Sequence, residues 1–390
     1  MKTQIAVVGL GAMGAATLYQ LARRGMSVVG IDRFAPPHSF GSSHGETRIT
    51  RQAVGEGSAY VPLVRRSHEI WHELENATNE RLLVTCGAVM IGPLKSAAMH
   101  HYKPDFLRNT MAVAQRFGIA HALLDKNQLL LRFPQFAGLH DGDVAYYEPY
   151  GGFLFPEACV RVQLTEARRL GARLLTDTRV HSLTQHSDTV SIETDSETIE
   201  ARQAVVAIGA WAGPLLGAPF NQLLRVTRQV QHWFVPADAA LYDEARCPVY
   251  IQLYGQDASD YFYGFPTPTG SVGVKIATET GDTTATADSV NRTASPAEAQ
   301  EMYRRHLAGR MAGLTERVLR SEVCLYTNTP KGSFLIDAHP NMPNVLVVSA
   351  CSGHGFKHSA AIGEAIAEQL TEGRSRLDLE PFRLVRHTAP

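Results

Sequence analysis

Residues 1–33 constrain this chain more than any other stretch. They read as an apolar strand (5–8), a glycine turn (Gly9, Gly11, Gly14), a helix (15–24) and a second apolar strand (28–31) that ends in Asp32. Together these form a βαβ unit carrying G-x-G-x-x-G, with an acid about twenty residues downstream. Gly9 permits the tight turn out of the strand. Gly11 lets backbone approach a pyrophosphate, and Gly14 lets the helix pack closely on the sheet. The helix N-terminus turns free N–H groups and a positive dipole end toward phosphate. Asp32 is placed to accept hydrogen bonds from ribose hydroxyls and repels the 2′-phosphate of NADP. Arg33 could hold such a phosphate but reads better as a cation beside adenine or solvent, and the unit leaves NAD and FAD both open.

The rest of the chain must supply a second unit, because 390 residues exceed one small core. Apolar residues make up 44% and charged residues 19%, as in an ordinary globular protein, and the formal net charge of −1 favours neither nucleic acid nor an anionic membrane. Five widely spaced cysteines show no zinc pattern and fit a reducing compartment. The N-terminus passes directly into the first strand, with no leader or transmembrane run, so a cytoplasmic protein is expected.

Helical spacing is expected at 60–74, 97–118 (broken near Pro104), 126–133, 157–170, 296–311 and 360–370. Strands are expected at 84–91, 145–149, 204–208, 225–234, 248–253, 261–265, 271–276 and 345–349, and a small sheet from 173–175, 190–193 and 197–199. The polar segment 281–293 reads as a surface excursion. Two more strand ends meet glycines, Gly209-Ala210-Trp211 and Ser352-Gly353-His354-Gly355-Phe356-Lys357. The simplest account is an α/β fold: a nucleotide-binding domain (1–85, 145–224 and 323–390) interrupted by insertions (86–144 and 225–322) that build a substrate domain on an antiparallel sheet. The loop from Gly41 to Arg51 is too polar and glycine-rich for a core element; it is either solvated or laid along an anionic ligand.

Six motifs occur in order: the opening fingerprint, Ser43-His44-Gly45-Glu46-Thr47-Arg48-Ile49-Thr50-Arg51, Tyr263-Gly264-Phe265-Pro266, Lys275, Cys324-Leu325-Tyr326-Thr327, and the Ser352–Lys357 run. Over nearly its whole length the chain resembles the monomeric sarcosine oxidase and N-methyltryptophan oxidase family, within the D-amino-acid-oxidase-like flavoproteins. The resemblance implies a Rossmann-like FAD-binding domain with an interleaved α+β substrate domain, and an oxidase of secondary amines that uses O2 and acts as a monomer.

It also implies roles. Cys324 would carry the flavin through a thioether, although a lone cysteine by itself reads as a small buried hydrophobe. Lys275 would stand near flavin N5, where negative charge builds on O2. Arg51 and Lys357 would hold the substrate carboxylate, with Tyr263 and Tyr326 beside it. Arg48 and His44 would lie at the flavin ring. Gly353, His354, Gly355, Phe356 and Lys357 would meet its pyrimidine end, and Ser42, Ser43, Thr47, Ile49, Val180, Gly209 and Trp211 would complete the cofactor contacts. The chain departs from the family in three ways, the first being a segment from Gly264 to Lys275 that is one residue longer. Glu279 stands four residues after Lys275, where sarcosine oxidases carry histidine, and Glu46 replaces the usual aspartate. Glu279 would read hydroxyls or a second amino group, or face solvent. Rival substrates are N-methyltryptophan, a fructosyl amino acid, pipecolate or proline, and glycine. Rival classes are a nicotinamide-dependent dehydrogenase and a non-catalytic flavin-binding protein.

Overall fold

The first strand is buried along its apolar half, with Ile5, Ala6, Val7 and Val8 at most 2% exposed. Side chains buried on both faces are the mark of a central parallel strand. In the computed structural model, which describes residues 1–94, 100, 103–255, 257–279 and 284–388, Lys2–Val8 is such a strand. It runs parallel to Val28–Ile31 on one side and Thr198–Val206 on the other. Arg173–Leu175 extends the sheet parallel to Val28–Ile31, and Met342–Ser349 pairs parallel with the second half of Thr198–Val206. The first half of that strand instead pairs antiparallel with Val190–Thr194, which is followed outward by Val180–Gln185. The segments expected to form a separate small sheet therefore belong to the main one, and 197–199 and 204–208 are a single strand.

Two helices cover one face of this sheet. Ala12–Arg23 and Ser359–Glu372 cross so closely that a Cβ on Gly363 would lie 2.5 Å from Ala16. Each fully buried Val, Leu or Ile in this layer contributes about 1.5–3 kcal/mol. Pro156–Arg169, with proline at the helix start, packs on the other side of Ala12–Arg23.

The second sheet has eight strands, in the order Leu314–Asn328, Arg225–Pro236, Val274–Ala277, Tyr261–Gly264, Val249–Leu253, Ala88–Pro93, Asp143–Glu148 and Ala122–Leu124. All neighbours are antiparallel except Val249–Leu253 with Ala88–Pro93. The boundaries read at 145 and 323 thus cut through strands of this sheet, which keeps the chain through Glu148 and through Asn328. The single strand expected at 84–91 is two, Leu83–Val84 and Ala88–Pro93, because Gly87 turns the chain at φ +84° between them. A third, small sheet joins Arg48–Thr50, Gly152–Leu154 and Leu83–Val84.

The helix at 296–311 is shorter than expected. Pro296–Met302, started by a Ser295–Glu298 capping box, passes into a wider turn at Tyr303–Leu307. Of the helix expected at 97–118, Phe106–Arg116 is observed; residues 97–99 and 101–102 of that span, and 281–283 of the polar segment, lie outside the described residues. Among the described residues no helix is long and apolar enough to cross a membrane.

Candidate active site

The fingerprint turn is built as its glycines require. Gly9 adopts φ +88°, and a Cβ there would sit 2.7 Å from the Ala207 carbonyl oxygen. A Cβ on Gly14 would lie 1.7 Å from the Gly9 carbonyl oxygen. Gly11 differs: the nearest protein atom to its absent Cβ is Ser43 Oγ, at 3.6 Å, and the residue faces a cavity of about 760 Å³. Protein packing does not demand that glycine, whereas close approach of a dinucleotide does. The cavity falls in the roughly 300–1,000 Å³ range of cofactor sites. Its walls include Asp32, Arg33, Ser42, Ser43, Arg48, Val180, Gly209, Trp211, Gly353, Gly355, Phe356 and Tyr326. Helix Ala12–Arg23 meets it with an N-terminus that has no side-chain cap from its Gly11 N-cap. The residues present fit FAD.

Asp32 is buried, and its carboxylate accepts from Leu10 N (2.7 Å) and Phe34 N (2.9 Å), leaving lone pairs for a ribose. Arg33 does not project toward a phosphate. Its guanidinium lies over Phe34 and Trp211 and bonds to Asp288 at 2.5 Å. Asp288 also accepts from Trp211 Nε1 (2.9 Å), and these hydrogen bonds, Trp211's first, hold its carboxyl below the usual range. The polar segment read as a surface excursion is therefore also a cavity wall, since Thr284 to Asp288 line it.

Beyond Arg48 and Tyr326 the cavity meets one face of the second sheet. Register pairs Trp233 with Lys275, Gln231 with Ala277, Tyr263 with Ala277, Gln229 with Cys324 and Thr227 with Tyr326. Residues opposite one another, and every second residue along a strand, share a face. Lys275, Tyr263, Cys324 and Tyr326 therefore come from three strands onto one surface. Tyr263 and Tyr326 touch through their hydroxyls at 3.3 Å.

That surface packs on the loop from Ser42 to Arg48. The Lys275 ammonium donates to the carbonyls of Gly45 (2.6 Å) and Thr47 (2.7 Å) and lies 4.6 Å from the Phe265 ring centre. Burial, then repulsion by Arg48, pushes its pKa well below the ordinary lysine value. Cys324 is 1% exposed and its sulfur accepts from Gln231 Nε2 at 3.0 Å; burial pushes the thiol up, opposed first by Arg48. The buried His44 ring stands 3.5 Å from Glu322, and burial lowers its pKa. Glu46, at φ +71°, accepts from Trp233 Nε1 (2.7 Å), while Glu157 accepts from the backbone of Gly45 (2.6 Å) and Glu46 (3.1 Å). Arg48 donates to Ser42 O (2.7 Å) and Thr47 O (2.8 Å).

Arg51 and Lys357 meet at a third residue. Buried Glu56 lies 3.2 Å from Arg51 and 3.6 Å from Lys357. Lys357 also donates to His354 O (2.9 Å), and burial lowers its pKa to about 8. His354 bonds to Gly332 O (2.9 Å) and stacks on Phe334. Glu279 is half-buried one residue past Thr278, whose hydroxyl donates to Tyr261 O (2.8 Å). The Glu279 charge acts on Tyr261, Tyr263, Tyr326 and Lys357.

Some expected residues stand apart from the cavity. Gly14 is taken up by helix packing, and Ile49 packs beside Val84 and Phe153. His44, Thr47, Arg51, Tyr263, Lys275, Glu279, Cys324, His354 and Lys357 do not line it. Sequence reasoning missed Glu56, Asp288, Gln231 and Glu322. Glu56 alone gave a signal, an acid five residues after Arg51 in a glycine-rich loop.

The fold and this site define a flavoprotein oxidoreductase. The chain belongs to the FAD dependent oxidoreductase family, whose model matches residues 4–369. Among curated relatives it is 35% identical to monomeric sarcosine oxidase of Bacillus sp. (strain NS-129), over 98% of this chain and 96% of that one. It is 32% identical to N-methyl-L-tryptophan oxidase of Salmonella enteritidis PT4 (strain P125109), over 99% of both. Among solved structures it is similar to NikD, described as an unusual amino acid oxidase essential for nikkomycin biosynthesis, with a TM-score of 0.84 and 21% identity over 98% and 97% of the two chains.

Proposed function

We propose that the protein is an FAD-dependent oxidase of secondary amines that demethylates a sarcosine-like N-methyl amino acid. The observation that carries this reading is the single sheet face bearing Lys275, Cys324, Tyr263 and Tyr326 at the end of the dinucleotide cavity. Net, an N-methyl amine, O2 and water give formaldehyde, the primary amine and H2O2. When bound, FAD supplies the two-electron chemistry. The chain supplies binding, orientation and charge. Arg51 grips the substrate carboxylate as a fork, and Lys357 adds a point charge. Lys275, held by two carbonyls in a dry site, stabilises negative charge developing on O2. Arg48 and His44 set the field at the ring. Cys324 would carry the flavin covalently, and the Gly353–Phe356 backbone would help to hold its pyrimidine end.

Gly9, Gly11, Asp32, Ser42, Ser43, Val180, Gly209 and Trp211 hold the rest of the cofactor. The chain divides into an FAD unit and a substrate unit, with limits placed after Glu148 and Asn328 to respect strand pairing. The protein works as a cytoplasmic monomer. Glu279 favours a second reading, oxidation of an amine bearing hydroxyls or a second amino group, because a carboxylate stands beside Tyr261 and near Lys357.

The test is a peroxide assay over sarcosine, N-methyltryptophan, proline, pipecolate, glycine and fructosyl-valine. Sarcosine turning over with the highest kcat/KM supports the first reading, and fructosyl-valine leading supports the second. No peroxide from any amine, with flavin present, overturns both.

A further inference from the structure

Glu148 ends the Asp143–Glu148 strand and is fully buried. A buried carboxylate is costly and is normally offset by a cation. Here the offset comes from Gln52 N at 2.5 Å, Ala53 N at 3.1 Å and the Tyr146 hydroxyl at 3.1 Å, with the Arg51 charge adding to them. Desolvation still raises the Glu148 carboxyl above its ordinary range. An acid retained under that burden has a task in this place, and the two backbone donors identify it.

Gln52 and Ala53 are the residues directly after Arg51. The Arg51 guanidinium bends back to donate to the Ala53 carbonyl and lies over the Phe106 ring at 5.3 Å. Ala53 is therefore gripped on its N–H by Glu148 and on its C=O by Arg51. On the other side of Arg51, Thr50 Oγ1 is bound to the buried His68 Nε2 at 2.6 Å. The loop carrying the arginine is clamped before and after it, and the later clamp belongs to the second sheet. A guanidinium fork recognises a carboxylate only when its plane and reach are set in advance.

We propose that Glu148 is a positioning residue: it fixes the Gln52–Ala53 backbone so that Arg51 is aimed at the substrate carboxylate. The inference rests on the reading of Arg51 as the carboxylate-binding residue.

The test uses the FAD-loaded enzyme with acetate as a carboxylate probe, read by flavin absorbance, and with sarcosine and sarcosinamide as matched amines. Glu148→Gln keeps the shape but turns an N–H toward a backbone N–H. It should weaken acetate binding and raise the sarcosine KM by about tenfold or more, with kcat and the sarcosinamide KM changed by less than about twofold. Tyr146→Phe, which removes one donor and keeps the ring, should move the same two quantities by about two- to threefold; it carries the test if Glu148→Gln does not fold. Arg51→Gln is the reference. If it abolishes acetate binding while Glu148→Gln and Tyr146→Phe leave binding intact, the positioning role alone is wrong. If Arg51→Gln leaves acetate binding intact, the reading of Arg51 fails and the proposal with it. Equal KM changes for both amines would also overturn it.

Discussion

Lys275 is 2% exposed, and its ammonium is bound by two carbonyls. Removing the charge while keeping the volume, as in Lys275→Met, should slow flavin reoxidation by O2 by about a hundredfold or more and leave anaerobic reduction by amine nearly unchanged. Stopped-flow measurement of the two half-reactions separates them; equal slowing of both would refute the assignment. Cys324→Ser should leave the flavin bound but release it on acid precipitation, which absorbance of the supernatant reports. Lys357 adds a pH effect whose sign follows from its lowered value of about 8. It is charged below that pH and neutral above it, so affinity for acetate should fall as pH rises through about 8, and Lys357→Met should flatten the profile.

These residues differ in how far the sequence alone reveals them. Gly9, Gly14 and Asp32 follow from local rules, because a turn, a close packing contact and a strand-end acid are local events. Lys275 and Cys324 do not, because their partners Gly45, Thr47 and Gln231 lie far away in the chain and are brought to them only by sheet pairing and by the packing of the 42–48 loop on that sheet. For them the family motifs carried the assignment.

At the scale of elements, the segment around Asp288 changed most. Its polar composition reads as solvated loop, yet Ala285 N bonds to Val226 O (2.9 Å), and Asp288 ties Arg33 and Trp211 across the dinucleotide cavity. The segment ties the Arg225–Pro236 strand to Arg33 and Trp211 on the cavity wall. Asp288→Asn keeps an acceptor but loses the ion pair. In a Cys324→Ser background, which removes the proposed covalent link, it should speed FAD release by about three- to tenfold without altering anaerobic reduction. Release can be followed by flavin fluorescence, and an unchanged rate would mean the tie does not retain the cofactor. The strands at 143–148 and 314–328 teach the same lesson. Of the two only the first was expected, at 145–149, and that both belong to the second sheet depends on pairing with Ala88–Pro93 and Arg225–Pro236.

At the scale of the whole molecule, several buried histidines are kept neutral. His68 bonds to Thr50 (2.6 Å), His232 to Ser321 (2.7 Å) and His306 to the Tyr254 hydroxyl (2.8 Å). Burial is the main cause that lowers each pKa from 6.5 to about 4. In the unfolded chain these rings take up a proton near pH 6.5, while in the folded chain they do so only near 4. The unfolded state therefore binds more protons across that window, and stability must fall as pH drops through it. The three rings lie in different regions: His68 under the Arg51 loop, His232 on the Arg225–Pro236 strand, and His306 in the wide turn after Pro296–Met302. The loss is thus shared between both units and appears as one global acid sensitivity. Urea titrations from pH 7.5 to 4 should show a falling midpoint that steepens below about 6.5. His68→Asn, which cannot titrate there, should shallow the dependence by up to about 1.4 kcal/mol per pH unit. It should also loosen the Thr50 clamp and weaken acetate binding at pH 7, where His68 is neutral in either state. A variant with the wild-type slope would place the His68 proton uptake outside this window and leave the acid sensitivity to the other titrating groups.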